Sequence, residues 1–281
     1  MTEKITVYEP DRCIRLGFFA VWREMVLNLG MSKDLIWRLF LRDFSAKYRQ
    51  SILGIIWAII NPILTVSIFI FLNRAGILNI GETSAPYPVF ALIGISIYGL
   101  FSTGLSVSSN SIIGAGPMVV KINFPKISLV IASMGQAIVD FLIRVILIII
   151  LLIIYRFIPN WTLIFFPVML LPLILLTLGL GLILSLLAGV LRDIIHLVSF
   201  LTTLLLFMVP ALYPAPRSGI LADLNRWNPL SHLITACRDI VISSGLTDPF
   251  GFLWASVISI LIFLVTWRIF FLSEPRIAER I

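Results

Sequence analysis

The chain has 281 residues, 59% of them hydrophobic and 12% charged, with a formal net charge of +7. Soluble domains carry about 25% charged residues, so this composition excludes an ordinary soluble core. The positive balance does not describe a nucleic-acid surface, because the basic surplus faces a bilayer rather than forming one stripe.

Residues 14–30 are apolar apart from Arg23 and Glu24 and read as a short surface helix. Ahead of them Glu3, Glu9 and Asp11 stand where a cationic leader would be, so no cleavable signal peptide is expected. From 32 to 50 the chain turns amphipathic. Ile36, Phe40, Phe44 and Tyr48 recur every four residues, with Leu35 and Leu39 beside them. Lys33, Asp34, Arg38, Arg42, Asp43, Lys47 and Arg49 fill the other side. That pattern predicts a helix lying in a membrane surface with its basic face wet. No further charge appears until Arg74, so the chain passes directly from lying along a bilayer to crossing it.

A span takes about 20 mostly apolar residues. Six stretches qualify: 52–72, 89–109, 127–155, 163–190, 196–212 and 252–271. In the first, Pro62 withholds a hydrogen bond and predicts a kink. The second carries Gly94, Tyr98, Ser102, Ser106 and Asn110 at four-residue spacing, a polar stripe down one face. Such a stripe serves either hydrogen bonding between helices or the lining of a polar pathway, and both readings stand. The following loop, 110–126, holds Gly116, Pro117, Lys121 and Lys126 and is expected to form one or two helical turns, as a connector or a docking element. The third span contains Asp140 and Arg144 on one face. Charges at that depth are costly alone, so a membrane ion pair is expected, with each other or across helices. In the fourth, Gly181, Ser185 and Gly189 form a row of small residues suited to close helix contact. The turn after it, around Arg192 and Asp193, is very short.

Between spans five and six the chain is too broken to cross and too apolar for a free loop. Pro214, Pro216 and Asn228-Pro229 divide it, and 231–243 reads as helical. We expect a re-entrant helical hairpin dipping into the outer leaflet. Trp254 and Trp267 sit near the ends of the sixth span, where aromatic anchors belong.

With six spans both ends lie on one side. That side holds fifteen Lys and Arg, against five at Arg74, Arg156, Arg217, Arg226 and Arg238 on the other. The asymmetry places the ends inside. It also separates Cys13 from Cys237, so no disulfide is expected. The expected fold is all-α and integral to the membrane, with an N-terminal amphipathic interfacial helix and six transmembrane helices. Residues 1–51 form a cytoplasmic segment, 52–272 the transmembrane domain with hairpins about 214–245, and 273–281 a cytoplasmic tail.

Catalytic signatures are missing. His196 and His232 fall on opposite sides, and no H-E-x-x-H, G-x-S-x-G or P-loop pattern occurs. No metal site and no cofactor bound by this chain is expected. Three function classes remain: the membrane half of an ATP-driven pump, an ion-coupled secondary transporter, and a membrane enzyme acting on lipid-linked sugars. The second needs a cycling ionisable group, and Arg144 beside Asp140 counts against it. The third needs acidic clusters, whereas Asp193, Asp223, Asp239 and Asp248 are scattered singly.

The segments WREMVLNL and RDFSAKYRQSILGIIWAIINPIL resemble the opening of the permease subunits of polysaccharide ABC exporters of the type-2 class. VVKINFPK, GLGLILSLLAGVLRDI, PALYP and NPLSHLITACRDIVI continue the resemblance in order over nearly the whole chain. Arg144 departs from the pattern, in a span expected to be apolar there. The resemblance implies a homodimer in the bacterial inner membrane with two cytoplasmic ABC ATPase subunits, which hold the ATP and Mg. It implies export of an O-antigen, teichoic acid or capsule glycan on an undecaprenyl pyrophosphate carrier. Gly116, Lys121, Lys126, Arg192 and Asp193 would then couple to the ATPase, and 214–245 would form periplasmic gate hairpins. Tyr98, Phe101, Ser102, Ser106 and Asn110 suit a glycan pathway, offering hydroxyls and flat rings to a sliding polymer. Arg42, Lys47 and Arg49 are the nearest cations for the carrier head-group.

Overall fold

A computed structural model describes residues 18–49, 56–76, 83–116, 118–119, 122, 124–216, 218–243 and 245–277. Among them ten α-helices and one short 3₁₀ turn account for the architecture, and no strand occurs. The helices are α1 (Phe18–Met31), α2 (Lys33–Arg49), α3 (Ile56–Arg74), α4 (Tyr87–Ala115) and α5 (Ile127–Ile154). After the 3₁₀ turn (Trp161–Phe165) follow α6 (Phe166–Val190), α7 (Asp193–Met208), α8 (Ile220–Trp227), α9 (Pro229–Ile242) and α10 (Pro249–Ile277).

Four segments are long and apolar enough to cross a membrane: Tyr87–Ala115, Ile127–Ile154, Trp161–Val190 and Pro249–Glu274. Two further apolar helices, Ile59–Arg74 and Asp193–Met208, are shorter. The expected passage from surface helix to first span falls at 50–55, outside the described residues. Pro62 lies inside α3, which continues through it. The expected polar-stripe helix is longer than its pattern, because Pro86 and Pro88 start it early and Gly116, at φ 51°, ends it late.

Helix α4 is the centre. Of its most apolar stretch 83% is buried within the protein, against 28% for α5 and for α10. It packs most extensively on α5 and α6, and α6 packs in turn on α10. Small residues permit these approaches. A Cβ on Gly181 would meet Ser108 Cβ of α4 at 2.6 Å, and one on Gly179 would meet the Phe263 backbone of α10 at 2.9 Å. The outward faces of α5, α7 and α10 stay apolar and exposed, with Leu142, Ile146, Ile153, Phe200, Phe207 and Val257 among them. Exposed patches on this scale mark a lipid or protein contact.

Each end of the bundle has its own closure. At one, Val21 and Met25 of α1, Leu39 of α2 and Ile112 of α4 pack with Trp267 and Phe270 of α10. The Trp22 and Trp267 rings meet edge to face at 5.9 Å. At the other, α8 packs on α9, and α9 packs on α4, α6 and α10. Asn228 caps α9 by accepting from the Leu230 N–H at 3.0 Å, with Pro229 as the first helical residue.

Candidate functional site

Helices α3, α4, α5 and α7 converge on a cavity of about 230 Å³. Its polar wall is Asn61 and Thr65 from α3, Tyr98 and Ser102 from α4, Arg144 from α5, and Thr202 and Thr203 from α7. Several wall hydroxyls spend their proton on their own helix. Thr65 donates to the Asn61 carbonyl at 2.9 Å, Thr202 to Val198 at 2.9 Å and Thr203 to Ser199 at 2.9 Å. What they turn to the cavity is therefore acceptor lone pairs. The Tyr98 hydroxyl donates to the Thr202 carbonyl and ties α4 to α7. Arg144 is the charged residue of this lining. It lies directly over Gly99, where a Cβ would stand 1.5 Å from its Nη1. Gly99 thus leaves the space that the guanidinium occupies.

One turn along α5, Asp140 is 5% exposed and bonds to Lys47 Nζ of α2 at 2.6 Å. The pair fixes Lys47 and Asp140 at one depth. Phe40 of α2 packs on Gly135 of α5, where a Cβ would meet the ring at 2.8 Å. Contacts 40 to 135 and 47 to 140 follow the same order, so the two helices advance side by side. The amphipathic helix is present as its periodicity predicts, and its far end is bound to a residue well inside α5.

A second ionic contact joins the ends of two long helices. The Lys126 N–H donates to Glu274 Oε1 at 2.7 Å, with Lys126 Nζ 3.9 Å from the same oxygen. The two-helix unit α8–α9 has its own fastening. Arg238, 2% exposed, donates from Nη1 to the Pro210 carbonyl at 2.8 Å and lies 3.8 Å over the Phe90 ring. Burial pulls its pKa down to about 10, opposed by the charge of Asp239, so it stays charged at neutral pH. Beside it, His232 Nδ1 and Asp248 Oδ2 lie 3.2 Å apart at a cavity of about 240 Å³.

Residues 34–242, spanning every helix named so far except α1 and α10, match the family model described as ABC-2 type transporter. The chain belongs to the ABC-2 type transporter family. It is 28% identical to the O-antigen export system permease protein RfbA of Myxococcus xanthus over 265 residues, 92% of this chain and 99% of that one. Two proteins of that name from Klebsiella pneumoniae are 26% and 25% identical over 229 residues, each 79% of this chain and 86% of theirs.

On this ABC-2 chain the predicted site residues fall in separate places. Tyr98 and Ser102 meet at the cavity wall. Phe101 is 3% exposed and belongs to the core, its ring 6.1 Å from that of Tyr98. Ser106 is half-buried and Asn110 exposed further along α4. Arg42 pairs with its neighbour Asp43 at 2.7 Å, and Lys47 with Asp140. The Arg49 side chain and Lys121 lie outside the described residues, as does Cys13. Gly116 turns the chain after α4, Lys126 is buried against Glu274, and Arg192 and Asp193 stand exposed at the turn into α7. Sequence reasoning missed Asn61, Thr65, Thr202, Thr203 and Arg238. The first four carried a readable signal, polar residues within charge-free runs; Arg238 carried none, since a cation beside Asp239 on a short helix outside the spans looks solvated.

Proposed function

We propose that this chain is the membrane subunit of an ATP-driven exporter. It moves a polysaccharide linked to undecaprenyl pyrophosphate from the cytoplasm to the outer face of the inner membrane. It works as a homodimer on two ABC ATPase subunits, which hold ATP and Mg. The observation that carries the reading is the end-to-end similarity to O-antigen export permeases, and the hydroxyl-walled cavity supports it. A sliding sugar chain brings abundant O–H donors, and the wall offers acceptors. Asp140, bonded to Lys47 and absent from the cavity lining, gives an ion-coupled mechanism nothing to cycle.

In this reading α3 and α7 supply the fifth and sixth crossings, with both ends of the chain cytoplasmic. The 16 residues of α7 extend about 24 Å, short of a hydrocarbon core of about 30 Å. The chain therefore leaves α7 inside the outer leaflet, which favours α8 and α9 as a re-entrant periplasmic gate. The exposed Arg192-Asp193 turn and the segment around Gly116, Lys121 and Lys126 form the ATPase docking face. Arg42 and Arg49 meet the carrier head-group at the cytoplasmic entrance, with Lys47 held by Asp140 behind them, and Tyr98, Ser102, Ser106 and Asn110, backed by Phe101, line the route. Disruption of the gene tests this. The expected result is loss of surface glycan with lipid-linked glycan accumulating on the cytoplasmic leaflet. Normal surface glycan in the disrupted strain would overturn it.

A further inference from the structure

We infer that the pocket between α8, α9 and the start of α10 is a subsite for a neutral sugar ring. It lies within one protomer, apart from the cavity walled by Tyr98 and Ser102, at the end of the bundle away from Lys126 and Glu274. The choice of a glycan as its source rests on the transport reading, in which this end receives the exported chain.

The pocket measures about 240 Å³. Sites for drug-sized ligands run to about 300–1,000 Å³, so this one suits a single ring rather than a long segment. Its apolar lining is small, Pro210, Pro216, Ala222 and Ala236, and leaves the space open. Part of its polar lining builds the wall. The Ser231 hydroxyl donates to Asn225 Oδ1, and Asn225 Nδ2 donates to the Met208 carbonyl at 3.0 Å, so α8 is fastened to α9 and to the end of α7. His232 is a strut between α8 and α10. Its Nε2 donates to the Arg226 carbonyl at 3.0 Å, and its Nδ1 faces Asp248 Oδ2 at 3.2 Å. Gly251 keeps the room for that pair, since a Cβ there would stand 2.1 Å from Asp248 Oδ2 and 2.2 Å from His232 Nδ1.

The remaining polar lining faces a ligand. Arg226, Thr247 and Asp248 are exposed and stand at the mouth. A guanidinium offers only donors, an ionised carboxylate only acceptors, and a hydroxyl both. An anion would gain Arg226 and meet Asp248, and a cation the reverse, so the lining favours neither. A neutral ligand with several hydroxyls uses both, because each O–H donates and accepts. Flat apolar surface adjoins the pocket. The Trp254 ring stands edge to face on His232 at 6.0 Å, and the exposed Trp227 stands on Trp254 at 6.4 Å. Indole faces suit the C–H side of a sugar ring.

Saturation-transfer NMR on the full chain in lipid nanodiscs tests the site. The neutral probes are methyl glycosides of glucose, galactose, mannose, rhamnose and N-acetylglucosamine; the charged ones are methyl glucuronide and glucosamine. The expected result is binding of at least one neutral glycoside in preference to both charged probes, weakened about tenfold in Arg226→Gln and in Asp248→Asn. Gly251→Ala keeps every charge and displaces the His232–Asp248 pair, so it should weaken binding as well. Asp223→Asn, on α8 but outside the lining, is the control and leaves binding in place. Thermal unfolding of each variant guards against a folding defect. The inference is overturned if no neutral glycoside binds, if a charged probe binds more tightly than all of them, or if Arg226→Gln and Asp248→Asn bind as the native chain does. Sugar binding that depends on Arg226 and Asp248, with normal surface glycan after gene disruption, would sink the transport reading and leave the subsite. Loss of surface glycan on disruption, with sugar binding indifferent to both variants, would do the reverse.

Discussion

Asp140 and Arg144 stand one turn apart on α5 and meet opposite surroundings. Asp140 is buried and bonded across to Lys47 of α2, so it locks two helices. Arg144 is half-buried and lines a cavity walled by hydroxyls. Similar positions on one helix thus lead to two settings, one between packed helices and one at a cavity wall. The difference is set by what the facing helix offers: a lysine at the end of α2 against a glycine in the middle of α4.

Substitutions sharpen the contrast, and their effects on stability fall in a definite order. The largest belongs to a third buried charge of the locking kind. Arg238→Met removes a charged hydrogen bond and a cation–π contact, at a cost of about 3 kcal/mol. Thermal unfolding in detergent checks it, and export should vanish with the folded fraction. Next comes Lys47→Met, which leaves the Asp140 carboxylate buried without its ammonium. Removal of one partner from a fully buried pair costs about 3–5 kcal/mol. Lys47 is 37% exposed, so solvent screening lowers the expected loss to about 2 kcal/mol. Asp140→Asn in the Lys47→Met background should recover most of it, which a double-mutant cycle measures. Tyr98→Phe is smaller, about 1 kcal/mol for one neutral hydrogen bond between α4 and α7. Smallest is Arg144→Gln, at or below about 1 kcal/mol, since its half-buried head keeps access to the cavity. Its export rate should nonetheless fall about tenfold. If Arg144→Gln unfolds the protein as readily as Lys47→Met does, the two charges hold the bundle equally and the contrast is broken.

The helices were largely legible beforehand, because apolar runs bounded by Pro, Gly and charge leave few alternatives. The amphipathic helix, the 127–154 helix and the Asn228-Pro229 boundary follow directly from such signals. The span count stops at four by length and apolarity, since α3 and α7 are short and residues 50–55 fall outside the described chain. Site geometry was much less legible. Lys47 and Asp140 were both conspicuous, yet 93 positions separate them and local periodicity carries no information at that range. Lys126 and Glu274 are 148 positions apart, and nothing local to Lys126 says that its side chain is buried at a helix junction. Gly99 was invisible for a different reason. Glycine in a membrane helix signals close approach, but nothing in its position says whether a backbone or a guanidinium fills the space.

Transport by purified components tests the account most directly. The chain is placed in proteoliposomes with undecaprenyl-pyrophosphate-linked glycan, with and without its ATPase and with ATP, and glycan reaching the opposite leaflet is counted. The account predicts movement only when both ATPase and ATP are present. Glycan moved by the chain alone, or driven by a proton gradient without nucleotide, would contradict it.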